Sequence, residues 1–244
     1  MSSIELYKAY YDDPRVSAWR RKSAVDKAAN VISFWRELQG GAEIHLADIG
    51  CGDGALIREF DRGNFGVSYT GFEISESGID FARKASYAKP PVFVLFDGDH
   101  VPARDKSFDL AILSHVIEHV ECPRMLLREA ARIAKYVFVE VPLELNARTP
   151  RDFHWTDVGH INLYNPLLIR HLLQSSGLRV LAERVTCPSR EVFTFKRPAL
   201  SGILHHAIKA AFLKVAPGLA TRFFTYHGCS IAGYDNRETI IKPG

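Results

Sequence analysis

The sequence predicts an α/β fold: a doubly wound, mostly parallel sheet with helices on both faces, an N-terminal cover helix, and an insertion before the last strand. Three observations predict it. Short apolar runs alternate with segments of helical spacing from residue 44 onward. Those runs are apolar at successive positions, as strands buried on both faces must be. A glycine-rich turn, Gly50-Cys51-Gly52-Asp53-Gly54, stands where the first run feeds the first helical segment. Strand, helix and strand in alternation imply parallel pairing through right-handed crossovers.

Val25, Ala28, Ile32, Trp35 and Leu38 recur at helical spacing until Gly40-Gly41, which stops the helix and makes residues 1–43 an N-terminal helical cap. Apolar runs at 44–49, 67–72, 92–96, 108–113 and 136–141 read as strands. Helices are expected at 54–60, at 77–87 with Ser77 as cap and Asp80 three residues on, and at 123–134 opening with Pro123. A polar, aromatic stretch over 142–164 precedes a helix at 166–176, ended by Gly177, and a strand at 178–186. Segments 191–195 and 225–234 have strand-like composition. Between them Ile203, Leu204, Ala207, Ile208, Ala211, Phe212 and Val215 share an apolar face, with His205, Lys209 and Lys214 opposite. That face is expected to pack on the core; a membrane surface, a pocket cover or a homodimer contact are the other roles it would fit. No composition break marks a linker, so 44–244 is taken as one domain with substrate-side insertions near 142–165 and 188–222.

A chain of 244 residues with 47% hydrophobic and 24% charged side chains can bury a core without staples, which excludes disordered and fibrous classes. Its formal charge of +3 is too mild an electrostatic footprint for nucleic acid. Neither an Asn/Asp-Pro-Pro-Tyr motif nor a clustered basic and aromatic patch occurs, so no nucleic-acid partner is expected. Cys51, Cys122, Cys187 and Cys229 form no C-x-x-C pair, which suits a reducing compartment. No apolar run reaches the roughly 18 residues of a membrane span, and no secretory pattern opens the chain. The expectation is a cytoplasmic chain without a span.

The glycine turn admits two ligands. Gly50-x-Gly52-x-x-Ala55, with Glu73 at the distance of a ribose-binding carboxylate, satisfies the dinucleotide fingerprint and keeps a NAD(P)-dependent oxidoreductase in play. Charge favours another reading, because a pyrophosphate would face Asp48 and Asp53. At about 5 Å and an effective dielectric near 20, each like-charge contact opposes binding by roughly 3 kcal/mol. S-adenosylmethionine, cationic and without phosphate, is favoured by the same carboxylates. Helix capping is the other role open to Asp53. No Tyr-x-x-x-Lys pair occurs, so the proton relay of short-chain dehydrogenases is missing.

Four ordered segments carry a family resemblance: Leu46-Ala-Asp48-Ile-Gly50-Cys-Gly52-Asp-Gly54; Thr70-Gly-Phe-Glu73-Ile74-Ser75; Asp97-Gly-Asp99-His100-Val-Pro102 with Ser107-Phe-Asp109-Leu; and Leu113-Ser114-His115-Val-Ile-Glu118-His119-Val120 with Leu126-Leu-Arg128-Glu129 and Arg132. Together they resemble the class I S-adenosylmethionine-dependent methyltransferases, small-molecule type (type 11/23-like), whose fold is Rossmann-like. The resemblance spans about 44–141 and, more weakly, 159–178. It departs where the family usually has Gly-Gly before the fifth strand and Lys135-Tyr136 stands here. It implies that Gly50 and Gly52, with Asp48 and Cys51 in the same turn, approach the methionine part of the cofactor. Glu73 would then hold the ribose, Ile74 pack on adenine, and Asp99 take the adenine amino group with His100 beside it, while Ser114 and His115 line the cofactor cleft as cofactor-binding residues.

The implied reaction is transfer of the sulfonium methyl to an O, N or C nucleophile of a small-molecule acceptor. His154 and His160, with Tyr164, are the catalytic candidates after the fifth strand, because a hydroxyl or protonated amine must lose a proton and imidazole titrates near neutrality. Trp155 would line the acceptor pocket with them. A non-catalytic S-adenosylmethionine-binding protein is the alternative. His115-x-x-Glu118-His119 matches the inverted zincin motif, but that motif must lie within a helix. These residues leave a strand directly, so no metal is expected, and His119 is expected to pack or to hydrogen-bond locally.

Overall fold

The computed structural model describes residues 14–41, 43–154, 159–195 and 198–234. Seven strands form one sheet: β1 (His45–Ile49), β2 (Ser68–Glu73), β3 (Val92–Leu95), β4 (Phe108–Ser114), β5 (Ala134–Pro142), β6 (Leu178–Thr186) and β7 (His227–Tyr234). Their order is β3-β2-β1-β4-β5-β7-β6. The first five pair in parallel, and β7 enters antiparallel between β5 and β6.

The eight helices among the described residues are α1 (Pro14–Gln39), α2 (Ala55–Arg62), α3 (Glu76–Lys84), α4 (Pro123–Ile133), α5 (Pro166–Ser175), α6 (Arg190–Phe195), α7 (Ala199–Val215) and α8 (Pro217–Phe223). Period-two alternation divides the strands between two cores. Leu110 and Ile112 of β4 meet Phe34 and Trp35 of α1 and Phe60 of α2 on one face. Ala111 and Leu113 meet Leu126 and Leu127 of α4 and Leu172 and Leu173 of α5 on the other. Each fully buried large aliphatic side chain contributes about 1.5–3 kcal/mol. Two packed faces explain why the runs are apolar throughout.

Three local expectations change. Helix α3 begins two residues earlier than Ser77 implies: Ser75 is its cap and accepts from Gly78 N at 3.3 Å. The segment 191–195 is helical, because Ser189 O accepts from Val192 N and Phe193 N and so starts a turn that its β-favouring composition does not override. Helix α7 is turned relative to its expected packing: Phe212 meets the core and Lys214 is exposed as expected, but the rest of the apolar face is not buried. Lys209 faces inward, donates to Thr225 O, and sits 5.0 Å from the Phe193 ring and 4.8 Å from that of Tyr226. Leu200, Leu204, Ile208 and Val215 are exposed. A lysine whose charge meets a carbonyl and two ring faces can occupy the interior, and the helix turns accordingly. No helix among the described residues is long and apolar enough to cross a membrane.

Candidate functional site

A cleft of about 1040 Å³ opens at the carboxyl ends of β1, β2 and β4, where an open α/β sheet binds ligands, and α1 roofs it with Trp19, Arg20, Ser23 and Lys27. The glycine turn forms one end. Gly50 has φ +76°, and a Cβ there would lie 2.6 Å from Val116 Cγ2, so only glycine fits. Its N–H and that of Cys51 donate to Phe72 O at 2.7 and 3.1 Å, tying the turn to β2.

Glu73, buried at the end of β2, accepts at Oε2 from Gly52 N (2.7 Å) and at Oε1 from Ile74 N and Ser75 N (3.0 Å each). Burial still pushes its carboxyl up against those donors. Three of its roughly four lone-pair sites are filled, leaving one on Oε2. Asp48 is buried beside Lys27; burial, opposed by Lys27 and Arg20, pushes it up to about 7. Ile74, Phe96, Asp97, Gly98 and Asp99 continue the wall. Asp97 Oδ1 shapes it by accepting from Asp99 N and His100 N at 2.9 and 2.8 Å.

The opposite end is built from residues far apart in the chain. Ser114 Oγ donates to Glu140 Oε2 (2.8 Å), and Asn30 Nδ2 and His227 Nδ1 reach Glu140 Oε1 at 3.1 and 2.9 Å. Burial alone would raise Glu140, but the hydrogen bond to His227, with Lys27 nearby, overrides it and holds the carboxyl well below the usual range. His115, at φ +58°, stands 3.2 Å from Glu118 Oε1. Burial and Lys27 push its imidazole well down, so it is neutral. His119 Nδ1 lies 2.8 Å from Gly159 O, and His160 Nδ1 lies 2.6 Å from Glu144 Oε2, with the two rings 4.7 Å apart. Burial works against the charge on His160, but Glu144 raises it on balance.

Of the residues singled out in the sequence, Asp48, Gly50, Cys51, Glu73, Ile74, Asp99, Ser114, His115 and His160 line one cleft. Gly52 stands behind it as a donor to Glu73. His100 turns outward and pairs with Glu129 at 2.8 Å. His154 is exposed and outside the lining. Tyr164 is buried in the core, donating to Ile117 O at 3.3 Å, also away from the cleft. Trp155 lies outside the described residues.

Asp53 lies outside the cleft lining: it pairs with Arg20 (3.0 Å) and Arg58 (3.3 Å) and accepts from Ala55 N at 3.3 Å, one residue ahead of the cap position, which Gly54 holds without a side-chain bond. Only Asp48 of the two turn carboxylates borders the cleft, so the electrostatic bias against phosphate is smaller than the sequence implies. His119 ends a single 3₁₀ turn, Ile117–His119, and His115 lies before that turn, so the two do not share a helix face. Sequence reasoning missed Lys27, Glu140, Glu144 and His227. Glu140 did carry a signal, since a lone carboxylate in a strand buried on both faces needs buried donors.

Comparison with known proteins places this geometry among relatives. Residues 20–183 match the family model described as a methyltransferase domain. An uncharacterized methyltransferase of Mycobacterium tuberculosis is 30% identical over 127 residues, 51% of this chain and 49% of that protein. The chain therefore spans about half the length of the curated relatives it matches. A Synechocystis magnesium protoporphyrin IX methyltransferase with bound S-adenosylhomocysteine superposes with a TM-score of 0.62 at 17% identity, covering 95% of this chain and 99% of that one. An S-adenosylmethionine-dependent methyltransferase from Aquifex aeolicus gives 0.56 at 16%, covering 95% and 98%. At such identities the structural likeness is one of fold.

Proposed function

The chain belongs to the methyltransferase-domain family, and from that premise we propose that it binds S-adenosylmethionine and methylates a small-molecule acceptor. The observation that carries the reading is Glu73: a buried carboxylate fixed by three backbone N–H groups beside a turn that admits no Cβ, with one acceptor site left facing the cleft. That donor set fits a ribose hydroxyl. Asp48 suits a cationic ligand, and a cleft of about 1040 Å³ has room for a nucleoside and a small acceptor.

When bound, the cofactor supplies an electrophilic methyl group on a sulfonium. The chain's residues bind and orient. Gly50 and Cys51 let the backbone approach the methionine part, Glu73 accepts from the ribose, Ile74 covers a face of the adenine, and Asp99 accepts from its amino group. On the other side Ser114, His115 and His160 surround the acceptor, and α1 excludes water above it. His160, oriented by Glu144, is the residue we assign to the acceptor's nucleophilic atom. Tyr164 and His154, outside the lining, receive no such assignment. A cytoplasmic setting is part of the same reading, supported by four cysteines that are all unpaired thiols.

A thermal-shift titration tests the cofactor. S-adenosylhomocysteine at 100 times its dissociation constant should stabilise the fold by about 2.7 kcal/mol, roughly 5–10 °C in Tm. NAD should leave it unmoved; the reverse result ends the reading. Label from the methyl donor appearing in a product of a metabolite screen separates an enzyme from a protein that only binds the cofactor.

A further inference from the structure

We infer that Glu118, His119 and His160 form a binding site for one divalent transition-metal ion at the acceptor end of the cleft. One ligand atom from each residue lies within 4.8 Å of the others. Donors at about 2.0–2.2 Å from a tetrahedral ion sit roughly 3.4 Å apart, so small side-chain rotations close the set.

A second, independent observation comes from Glu118. It is fully buried, and neither carboxylate oxygen accepts a hydrogen bond, although Oε1 stands 3.2 Å from His115 Nδ1. An interior carboxylate without donors is strongly disfavoured, and a cation beside it removes the penalty.

The imidazoles are in the matching tautomer. His160 Nδ1 faces the Glu144 carboxylate and His119 Nδ1 faces the Gly159 carbonyl, and both partners accept only. Each Nδ1 therefore carries the proton and each Nε2 the lone pair, the arrangement that orients metal-bound histidines. The segment bearing His160 is fastened to the turn bearing Glu118: Ile161 N and Asn162 N donate to Glu118 O at 2.9 and 3.0 Å, and Asn162 Nδ2 donates to Val120 O at 2.7 Å.

Two imidazoles and one carboxylate suit zinc, cobalt or ferrous iron rather than calcium or magnesium. His119 and His160 both line the cleft, so the remaining coordination positions open towards it. A neighbouring trio, His115, Glu140 and His227, also brings its ligand atoms within 4.8 Å. There Glu140 is already satisfied by Ser114, Asn30 and His227, so that trio is complete as a hydrogen-bonded network. With the ion bound the Nε2 lone pair of His160 would be taken, so His160 would serve the acceptor through the ion and not directly; that role, which would favour acceptors that present an oxygen, rests on the methyl-transfer reading, and the binding site does not.

The test is titration of the full chain, stripped with a chelator, with Co²⁺ alone, followed by its visible d–d absorption. The parent should bind one equivalent at micromolar affinity or tighter, and Zn²⁺ should displace it. Glu118→Gln and His160→Ala should each weaken Co²⁺ by about 100-fold or more, and Glu144→Gln, which only loosens His160, by about 10–100-fold. His227→Ala should leave Co²⁺ affinity unchanged. Should Glu118→Gln fail to fold, Glu144→Gln at a partly exposed position still decides the matter. No d–d band in the parent, affinity unchanged in Glu144→Gln, or affinity lost in His227→Ala would each overturn the assignment. The S-adenosylhomocysteine melt shift is read on the same samples, so failure of the methyltransferase reading shows separately from failure of the metal site.

Discussion

The two ends of the cleft are made differently. At the glycine-turn end the decisive contact, Gly52 N to Glu73, joins residues 21 positions apart, and backbone groups do most of the holding. At the other end Glu140 draws on Asn30, 110 positions away, and on His227, 87 positions away, entirely through side chains. Backbone donors survive substitution of their neighbours, whereas a side-chain network loses a partner with each one. The first end should therefore fail as a binding site and the second as a piece of the fold.

The largest effect should come from Glu140→Ala. It leaves Ser114, Asn30 and His227 without their buried acceptor, at a cost of about 3 kcal/mol or more, or roughly 6–12 °C in Tm. The same group gives an acid signature. Its folded pKa is depressed, so its stabilisation is complete above the unfolded carboxylate value near 4.3 and is lost as pH falls below it. Glu140→Gln should flatten that acid limb of the melting profile. A Glu140→Ala melt within a degree of the parent would erase the contrast between the ends.

Next comes a pair of substitutions that should act oppositely. Glu73→Ala removes an acceptor for ribose and should raise the cofactor dissociation constant by about 100-fold, equivalent to some 2–3 kcal/mol for a charge-assisted hydrogen bond. His160→Ala should lower turnover while changing that constant less than about three-fold, because it touches only the acceptor side. Calorimetry with S-adenosylhomocysteine and a methyl-transfer assay read the two quantities separately. Equal losses of affinity in both variants would mean that the ends are one site.

A smaller effect isolates the charge at the glycine-turn end. Asp48, surrounded by Lys27, Arg20, Glu73 and Asp53, titrates at about 7. It is protonated below that value and anionic above, so affinity for cationic S-adenosylmethionine should rise through neutrality, about ten-fold between pH 6 and 8. Asp48→Asn should abolish the slope. A pH-independent constant in the parent would show that Asp48 does not face the ligand's charge.

The same contrast explains how much could be read from the chain. Period-two runs and the glycine turn are local, so the parallel part of the sheet is legible, and so is the place of Gly50, Glu73 and Ile74 on the cleft wall. The place of β7 between β5 and β6 was not, since antiparallel insertion leaves no mark on a strand's own composition. Helix α7 was misread because hydropathy treats Lys209 as a surface residue, whereas Thr225 O and two aromatic rings make the interior habitable for it. His227 and Glu144 carry no local signal, because what makes them part of the site is a partner elsewhere in the sequence. Tyr164 follows β5 in the sequence, as an acceptor-side residue would, but its hydroxyl donates to Ile117 O in the core.

The smallest effect concerns two adjacent residues that sequence reasoning placed together at the adenine and the structure separates. Asp99 lines the cleft, and its backbone is fixed through Asp97 Oδ1, but its side chain is exposed to water. A hydrogen bond there competes with solvent, so Asp99→Ala should weaken S-adenosylhomocysteine only a few-fold, about 0.5–1 kcal/mol. His100 has its imidazole turned to Glu129, whose other partners, Arg132 and Val101 N, anchor the same loop. His100→Ala should therefore leave cofactor affinity unchanged, since its ring points away from the cleft. If His100→Ala weakens the cofactor more than Asp99→Ala does, the loop after β3 holds the adenine through the next residue along.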